Sequence, residues 1–206
     1  MYSLRVYVLN AVMIAKKIKI RGKKQMNLKG TKTAVNLMKS FAGESQARNR
    51  YTFYASVADK EGYKQIKNIF LETADNEKEH AKRFYKFLLA GLKDELPATI
   101  EIESSFPVAQ DNALENLKSA ANVENEEGFQ EIADVFRAVA LAEKAHENRF
   151  NKLAQNVENG EVFKKEKKIL WKCGNCGYIY EGTSAPTTCP ACAHPTAHFE
   201  VFVETY

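Results

Sequence analysis

Ile66-Lys-Asn-Ile-Phe70-Leu-Glu-Thr73-Ala-Asp-Asn-Glu77-Lys-Glu-His80-Ala-Lys-Arg-Phe84-Tyr-Lys-Phe87 decides how this chain folds. Steps of three and four place Ile66, Phe70, Thr73, Glu77, His80, Phe84 and Phe87 on one stripe of a helix. The stripe is apolar except near its centre, where a Glu and a His three residues later stand where a helical core wants Leu. The same seam recurs at Ile132, Phe136, Val139, Glu143, His146, Phe150 and Leu153. A third stripe, Leu37, Phe41, Glu44, Tyr51 and Ala55, carries one more Glu.

Burying one unpaired carboxylate costs on the order of several kcal/mol, so three of them demand compensation. A single seam Glu reads as the partner of an Arg or Lys. Two Glu-x-x-His pairs on matching seams, with a third seam Glu, read as metal ligands: cations neutralise the acids and engage both imidazoles. Carboxylate with imidazole suits iron or manganese, whereas calcium prefers oxygen alone. The set is recognised from the di-iron and di-manganese carboxylate bundles that use it.

Working outward, helical stretches run from about Thr33 to Lys60, Tyr63 to Leu89, Asp111 to Glu127 and Phe129 to Val157. Gly62, Gly91, Gly128 and Asn159-Gly160 punctuate them, and Asp111 is a candidate N-cap. Residues 92–110, interrupted by Pro97, Ser104, Ser105 and Pro107, form a long crossover. Two short turns and one long crossover predict a mostly α, ferritin-like four-helix bundle with a shortened third helix over residues 27–160. A charged linker, 161–170, then leads to a small four-cysteine β-domain, 171–206.

That domain carries Cys173-Gly-Asn-Cys176-Gly-Tyr-Ile-Tyr and Cys189-Pro-Ala-Cys192. Two CxxC pairs at this separation predict a tetrahedral four-thiolate site for zinc or a single iron. Trp171, Tyr178, Tyr180 and Phe199 are candidates for an apolar shell around it. His194 and His198 follow a cage already filled by four thiolates and read as turn or surface residues. All four cysteines are used here, which predicts a reducing cytoplasm.

Composition allows a packed core, with 45% hydrophobic and 27% charged residues. The net charge of +4 is misleading, because residues 1–26 hold seven Lys and Arg and no acid. The rest of the chain is slightly acidic, which argues against nucleic acid as a partner. The apolar run Val6 to Ala15 is too short to span a bilayer, and its basic cluster follows rather than precedes it. Residues 1–26 are therefore expected to be an extension outside the fold, disordered or an over-long translation start ahead of Met26, and no membrane partner is expected.

Phe41-Ala-Gly-Glu-Ser-Gln-Ala-Arg-Asn-Arg-Tyr51, Glu72-Thr-Ala-Asp-Asn-Glu-Lys-Glu-His80 and Cys189-Pro-Ala-Cys-Ala-His-Pro195 closely resemble the rubrerythrins, a likeness that runs from about Met26 to the C-terminus. The resemblance implies a cytoplasmic, non-haem di-iron peroxidase of anaerobes and microaerophiles, acting in oxidative-stress defence. It would reduce hydrogen peroxide to water, with electrons relayed through a rubredoxin-like iron held by Cys173, Cys176, Cys189 and Cys192. Partners implied in the same way are a rubredoxin or an NAD(P)H-dependent flavoprotein reductase, in a homodimer. By the family pattern Glu44, Glu77 and Glu143 ligate iron, His146 holds one iron, His80 captures the other on reduction, and Tyr51 hydrogen-bonds near the cluster.

One feature departs from that pattern. Glu44 and Glu77 lie 33 residues apart around Gly62, and the same spacing before Glu143 lands on Gln110. The family instead carries a Glu-x-x-Glu in its third helix, a spacing that Glu124 and Glu127 fit. Glu124 lies only 19 residues before Glu143, a shortfall of 14 residues or about 21 Å of helix. Either Glu124 and Glu127 are the family ligands and the segment after them is missing, or the ligand-bearing segment itself is gone. In a hairpin turning at Gly128, Glu115 comes nearer the metals than Glu127. A fused helix exchanged between protomers and a crippled or single-metal site are the remaining expectations. The rival functions are an iron-binding ferroxidase, a zinc ribbon for macromolecular contact and a degraded homologue. An appended electron inlet argues against the first, and Lys172 as the sole Lys or Arg of residues 171–206 argues against nucleic acid for the second.

Overall fold

The computed structural model describes residues 26–103 and 128–205. Among them are three long helices, α1 (Lys32–Lys60), α2 (Lys64–Gly91) and α3 (Gln130–Glu158). A three-stranded sheet follows: β1 (Lys164–Cys173), β2 (Ile179–Ser184) and β3 (Phe199–Val201).

Each helix boundary has a local cause. Thr31 caps α1, its hydroxyl oxygen accepting from the Ala34 N–H at 3.1 Å. Gly62, at φ +84°, turns the chain back into α2 as an antiparallel hairpin. Leu28 inserts beside the end of α2 and donates its N–H to the Gly91 carbonyl at 2.9 Å. A Cβ at Gly91 would sit 2.3 Å from Leu28 Cγ, so this approach requires glycine. Met26, the expected start, packs partly buried against the same core. The third expected helix, with Glu115, Glu124 and Glu127, lies outside the described residues. α3 does not run on from it as one fused rod, because Gly128 has φ +82° and Phe129 is non-helical before Gln130.

The bundle core joins Leu37, Phe84, Phe87, Leu88, Ile132, Phe136 and Val139. Phe84 and Phe136 stack at 4.8 Å between ring centres, fixing α2 against α3. Two turns beyond the seam acids, Tyr51, Phe70 and Phe150 make a second aromatic layer, with ring centres 5.1–6.2 Å apart. The seam acids lie between these layers.

The sheet is antiparallel in the order β2-β1-β3. β1 begins at Lys164, so most of the stretch expected to be a charged linker is strand. Lys164, Glu166, Lys167 and Lys168 face solvent, so their charge does not oppose pairing, and a bulge between Lys164 and Ile169 absorbs the irregular register. Trp171, Cys173, Cys189 and Phe199 form the buried centre, and the Trp171 indole donates to the Gly182 carbonyl at 3.0 Å. Tyr178 packs against this centre, but Tyr180 is exposed on the face of β2 and lies over Gly182. It does not join the shell expected of it. Tyr63 stacks on Phe163 with ring planes 11° apart, and Ala197 meets Gly62, seating the sheet against the α1–α2 turn.

Candidate metal centres

α1, α2 and α3 deliver five side chains to one buried point. Glu44 and Glu143 are each 8% exposed, Glu77 is fully buried, and His146 is 7% exposed. His80 Nδ1 lies 2.9 Å from Glu77 Oε2, 3.3 Å from Glu143 Oε1 and 3.8 Å from Glu44 Oε2. On the other side, His146 Nδ1 lies 3.2 Å from Glu77 Oε1 and 3.5 Å from Glu143 Oε2. Glu77 and Glu143 thus turn one oxygen to each imidazole, the disposition of two bridging carboxylates. The ion-pair partners of these acids among the described residues are imidazoles; nearby Arg149 and Arg83 pair with Glu72 and Glu131 instead.

The charge states show what this burial demands of the metal-free protein. Burial, opposed by the nearby His80 imidazole and assisted by Glu77 and Glu143, raises Glu44 to about 8. Burial would raise Glu77 too, but the adjacent His146 and His80 imidazoles and the Glu44 carboxyl outweigh it and hold Glu77 near 2. Burial disfavours charge on His80, yet the carboxylates of Glu143, Glu44 and Glu77 around its ring raise it to about 12. For His146, burial is likewise outweighed by Glu143 and Glu77, giving about 9. Protons stand where cations would. Glu77 Oε1, Glu143 Oε1 and His146 Nδ1 are buried without a hydrogen-bond partner. His146 Nδ1 and Glu77 Oε1 are 3.2 Å apart without forming a hydrogen bond. Orphaned donor atoms of this chemistry, gathered around one point, fit metal ions.

Tyr51, expected near the cluster, lies one layer below it. Its phenol is pushed above the usual tyrosine range by burial and then by Glu77 and Glu143, so it stays protonated. Phe70 and Phe150 clamp its ring. The tentative ligands Glu124 and Glu127 fall outside the described residues.

The four cysteine sulfurs lie within 4.8 Å of one another. Cys173 and Cys192 Sγ are 3.8 Å apart, and Cys176 and Cys189 Sγ 3.6 Å. A disulfide would need about 2.05 Å, whereas a tetrahedron of ~2.3 Å metal–sulfur bonds has edges of about 3.8 Å. Two matching knuckles build the cage. Gly177 N–H donates to Cys173 carbonyl at 2.8 Å, and Ala193 N–H to Cys189 carbonyl at 2.9 Å. Both knuckles end in a left-handed residue, Gly177 at φ +82° and Ala193 at φ +57°. The Gly after Cys176 announces this turn in the sequence, while Ala193 hides it. His194 and His198 pack edge to face at 4.6 Å and stand outside the cysteine cluster.

A helical bundle with a buried carboxylate–imidazole centre, joined to a four-thiolate domain, defines a metalloprotein with two kinds of site. The chain belongs to the rubrerythrin family. The Rubrerythrin family model matches residues 36–127 and 117–172, and the rubrerythrin rubredoxin-like domain matches 171–200. The chain is 59% identical over 196 residues to a rubrerythrin of Clostridium perfringens, covering 87% of this chain and 99% of that one. It is 54% identical over 196 residues to rubrerythrin-1 of Clostridium acetobutylicum, with the same coverage. A solved structure of nigerythrin in a partially reduced state aligns at 25% identity and a TM-score of 0.48, over 88% of this chain and 94% of that one.

These alignments also bear on the shortened third helix. Each clostridial alignment spans 196 residues while using only 87% of this chain, so the relatives carry residues without counterparts here. The two pieces of the family match overlap at residues 117–127, so the family model uses that stretch twice. The overlap puts the discontinuity beside Glu124 and Glu127, where the seam spacing falls short. No helix among the described residues is long and apolar enough to cross a membrane.

Proposed function

We propose that this chain is a peroxidase that reduces hydrogen peroxide to two waters with two electrons and two protons. The observation that supports it most is the pairing, in one chain, of a bridged carboxylate–imidazole centre with a four-thiolate cage. A storage site has no use for an electron inlet. Two irons at the bundle centre would supply both electrons together and polarise the O–O bond.

The protein's own contribution is positional. Glu77 and Glu143 would each offer one oxygen to each of two metal positions, with His80 at one and His146 at the other. The stack of Phe84 on Phe136 and the Tyr51, Phe70 and Phe150 layer keep bulk water from either end. Tyr51 retains its proton beside the acids. Cys176 is the exposed member of the cage, against buried Cys173 and Cys189, which suits electron entry from a docked donor. That donor is proposed to be a rubredoxin or an NAD(P)H-dependent flavoprotein reductase, acting in the cytoplasm during oxidative stress. Gly174 and His198 border a cleft with Lys64 at the start of α2. Glu77 is 13 residues further along, about 20 Å away. A gap of that length within one chain favours a homodimer in which two copies supply the relay.

Anaerobic reduction followed by one equivalent of hydrogen peroxide tests the proposal. Reoxidation of both visible chromophores within seconds is expected. A colourless, zinc-loaded protein, or bands that ignore peroxide, would contradict it. The shortened segment favours one rival, a homologue that binds metal without turning over, and the same experiment separates the two.

A further inference from the structure

We infer that the bundle centre holds its two metal ions unequally, the position beside His80 filling first and tightly, the position beside His146 filling second and weakly. The inference rests on the metal-binding half of the proposed function and is independent of peroxide turnover.

The geometry divides the donors four against three. Glu44, Glu77, His80 and Glu143 each offer one atom to a group lying within 4.8 Å, and His146 is not in that group. Glu44 approaches His80 Nδ1 at 3.8 Å. The position beside His146 draws only on Glu77 Oε1, Glu143 Oε2 and His146 Nδ1 among the described residues. Nothing on α1 balances it, because α1 contributes its one seam acid to the other side.

The chain's length points the same way. Glu143 lies 13 residues beyond the first residue of α3, about 20 Å along the helix. The turn at Gly128 therefore opens far from the acids. The two pieces of the family match meet at residues 117–127, just ahead of that turn. Divalent first-row ions want four to six donors. Among the described residues four protein donors face the first position and three the second. The second position is thus the weaker and the more open to small oxygen ligands.

Anaerobic titration of the full metal-free chain with Co(II) tests this, after one equivalent of Cd(II) has occupied the softer thiolate cage. Cobalt d–d bands then report the bundle alone. Two equivalents should bind with affinities at least ten-fold apart. His146→Ala should leave the tight equivalent unchanged and abolish the weak one, while His80→Ala should weaken the tight one at least ten-fold. Asn variants at both positions, closer in volume, repeat the test if either Ala variant loses helical far-UV signal. Two equivalents within a factor of three would overturn the inference, as would loss of the tight equivalent in the His146 variants.

Discussion

Replacing Glu44 with Gln should stabilise the metal-free bundle at pH 8 while weakening its hold on metal. Glu44 is buried and its pKa is raised to about 8 from an ordinary 4.5. A carboxyl whose folded pKa is raised contributes stability in full below 4.5, and that contribution is lost as pH rises toward 8. One pKa unit is about 1.4 kcal/mol, so taking the Glu44 shift alone gives a loss of at least about 3 kcal/mol at pH 8. The opposite displacement of Glu77 toward 2 shows that the two acids share a proton. Counting the pair together reduces the net loss to about 1 kcal/mol. Gln retains an N–H donor toward Glu77 and cannot ionise. Urea unfolding of the chelator-treated protein, followed by far-UV helical signal, should show Glu44→Gln more stable by about 1–3 kcal/mol at pH 8. At pH 5 the two proteins should converge. With Co(II) present the order should reverse, because the ionised Glu44 is then a ligand. An equal or lower stability of the variant at pH 8 without metal would refute the electrostatic reasoning.

Metal loading should release protons, since His80 and His146 are raised to about 12 and 9 and so are both charged at pH 7. Apparent affinity should therefore climb between pH 6 and 9, checked by calorimetry in buffers of different ionisation enthalpy. Phe84→Ala, at a fully buried ring stacked on Phe136, should cost about 3–5 kcal/mol in urea unfolding. Ala193→Gly relieves a left-handed alanine and should stabilise the four-cysteine domain by up to about 1 kcal/mol. Trp171, the sole tryptophan, reports that domain by fluorescence. Cys176→Ser should weaken and shift the thiolate charge-transfer bands while cobalt binding in the bundle persists, read in the same spectrum.

The parts of the molecule that obey a strict period are legible in the sequence. Steps of three and four exposed the seams of Glu77 and Glu143, because a buried acid on an apolar stripe has few explanations. The CxxC pairs were equally plain, since a thiolate cage needs two knuckles. What escaped was structure in which the deciding partner is remote in sequence. Lys164–Leu170 reads as a charged linker because its lysines mask a strand most of whose charges face solvent. Tyr180 looked like shell material until β2 placed it on the outer face. Ala193 takes a left-handed turn that only the knuckle's hydrogen bond explains. The division of the donors between His80 and His146 depends on which oxygen of Glu77 faces which ring, and no spacing rule carries that.

Anomalous diffraction at the iron and zinc edges, on crystals of protein purified from iron-replete cells, tests the central claim most directly. It should place iron between Glu44, Glu77, His80 and Glu143, a second and less occupied iron beside His146, and a third inside the four sulfurs. Carboxylates turned into solvent or paired with arginine, with no anomalous peak among the helices, would contradict it.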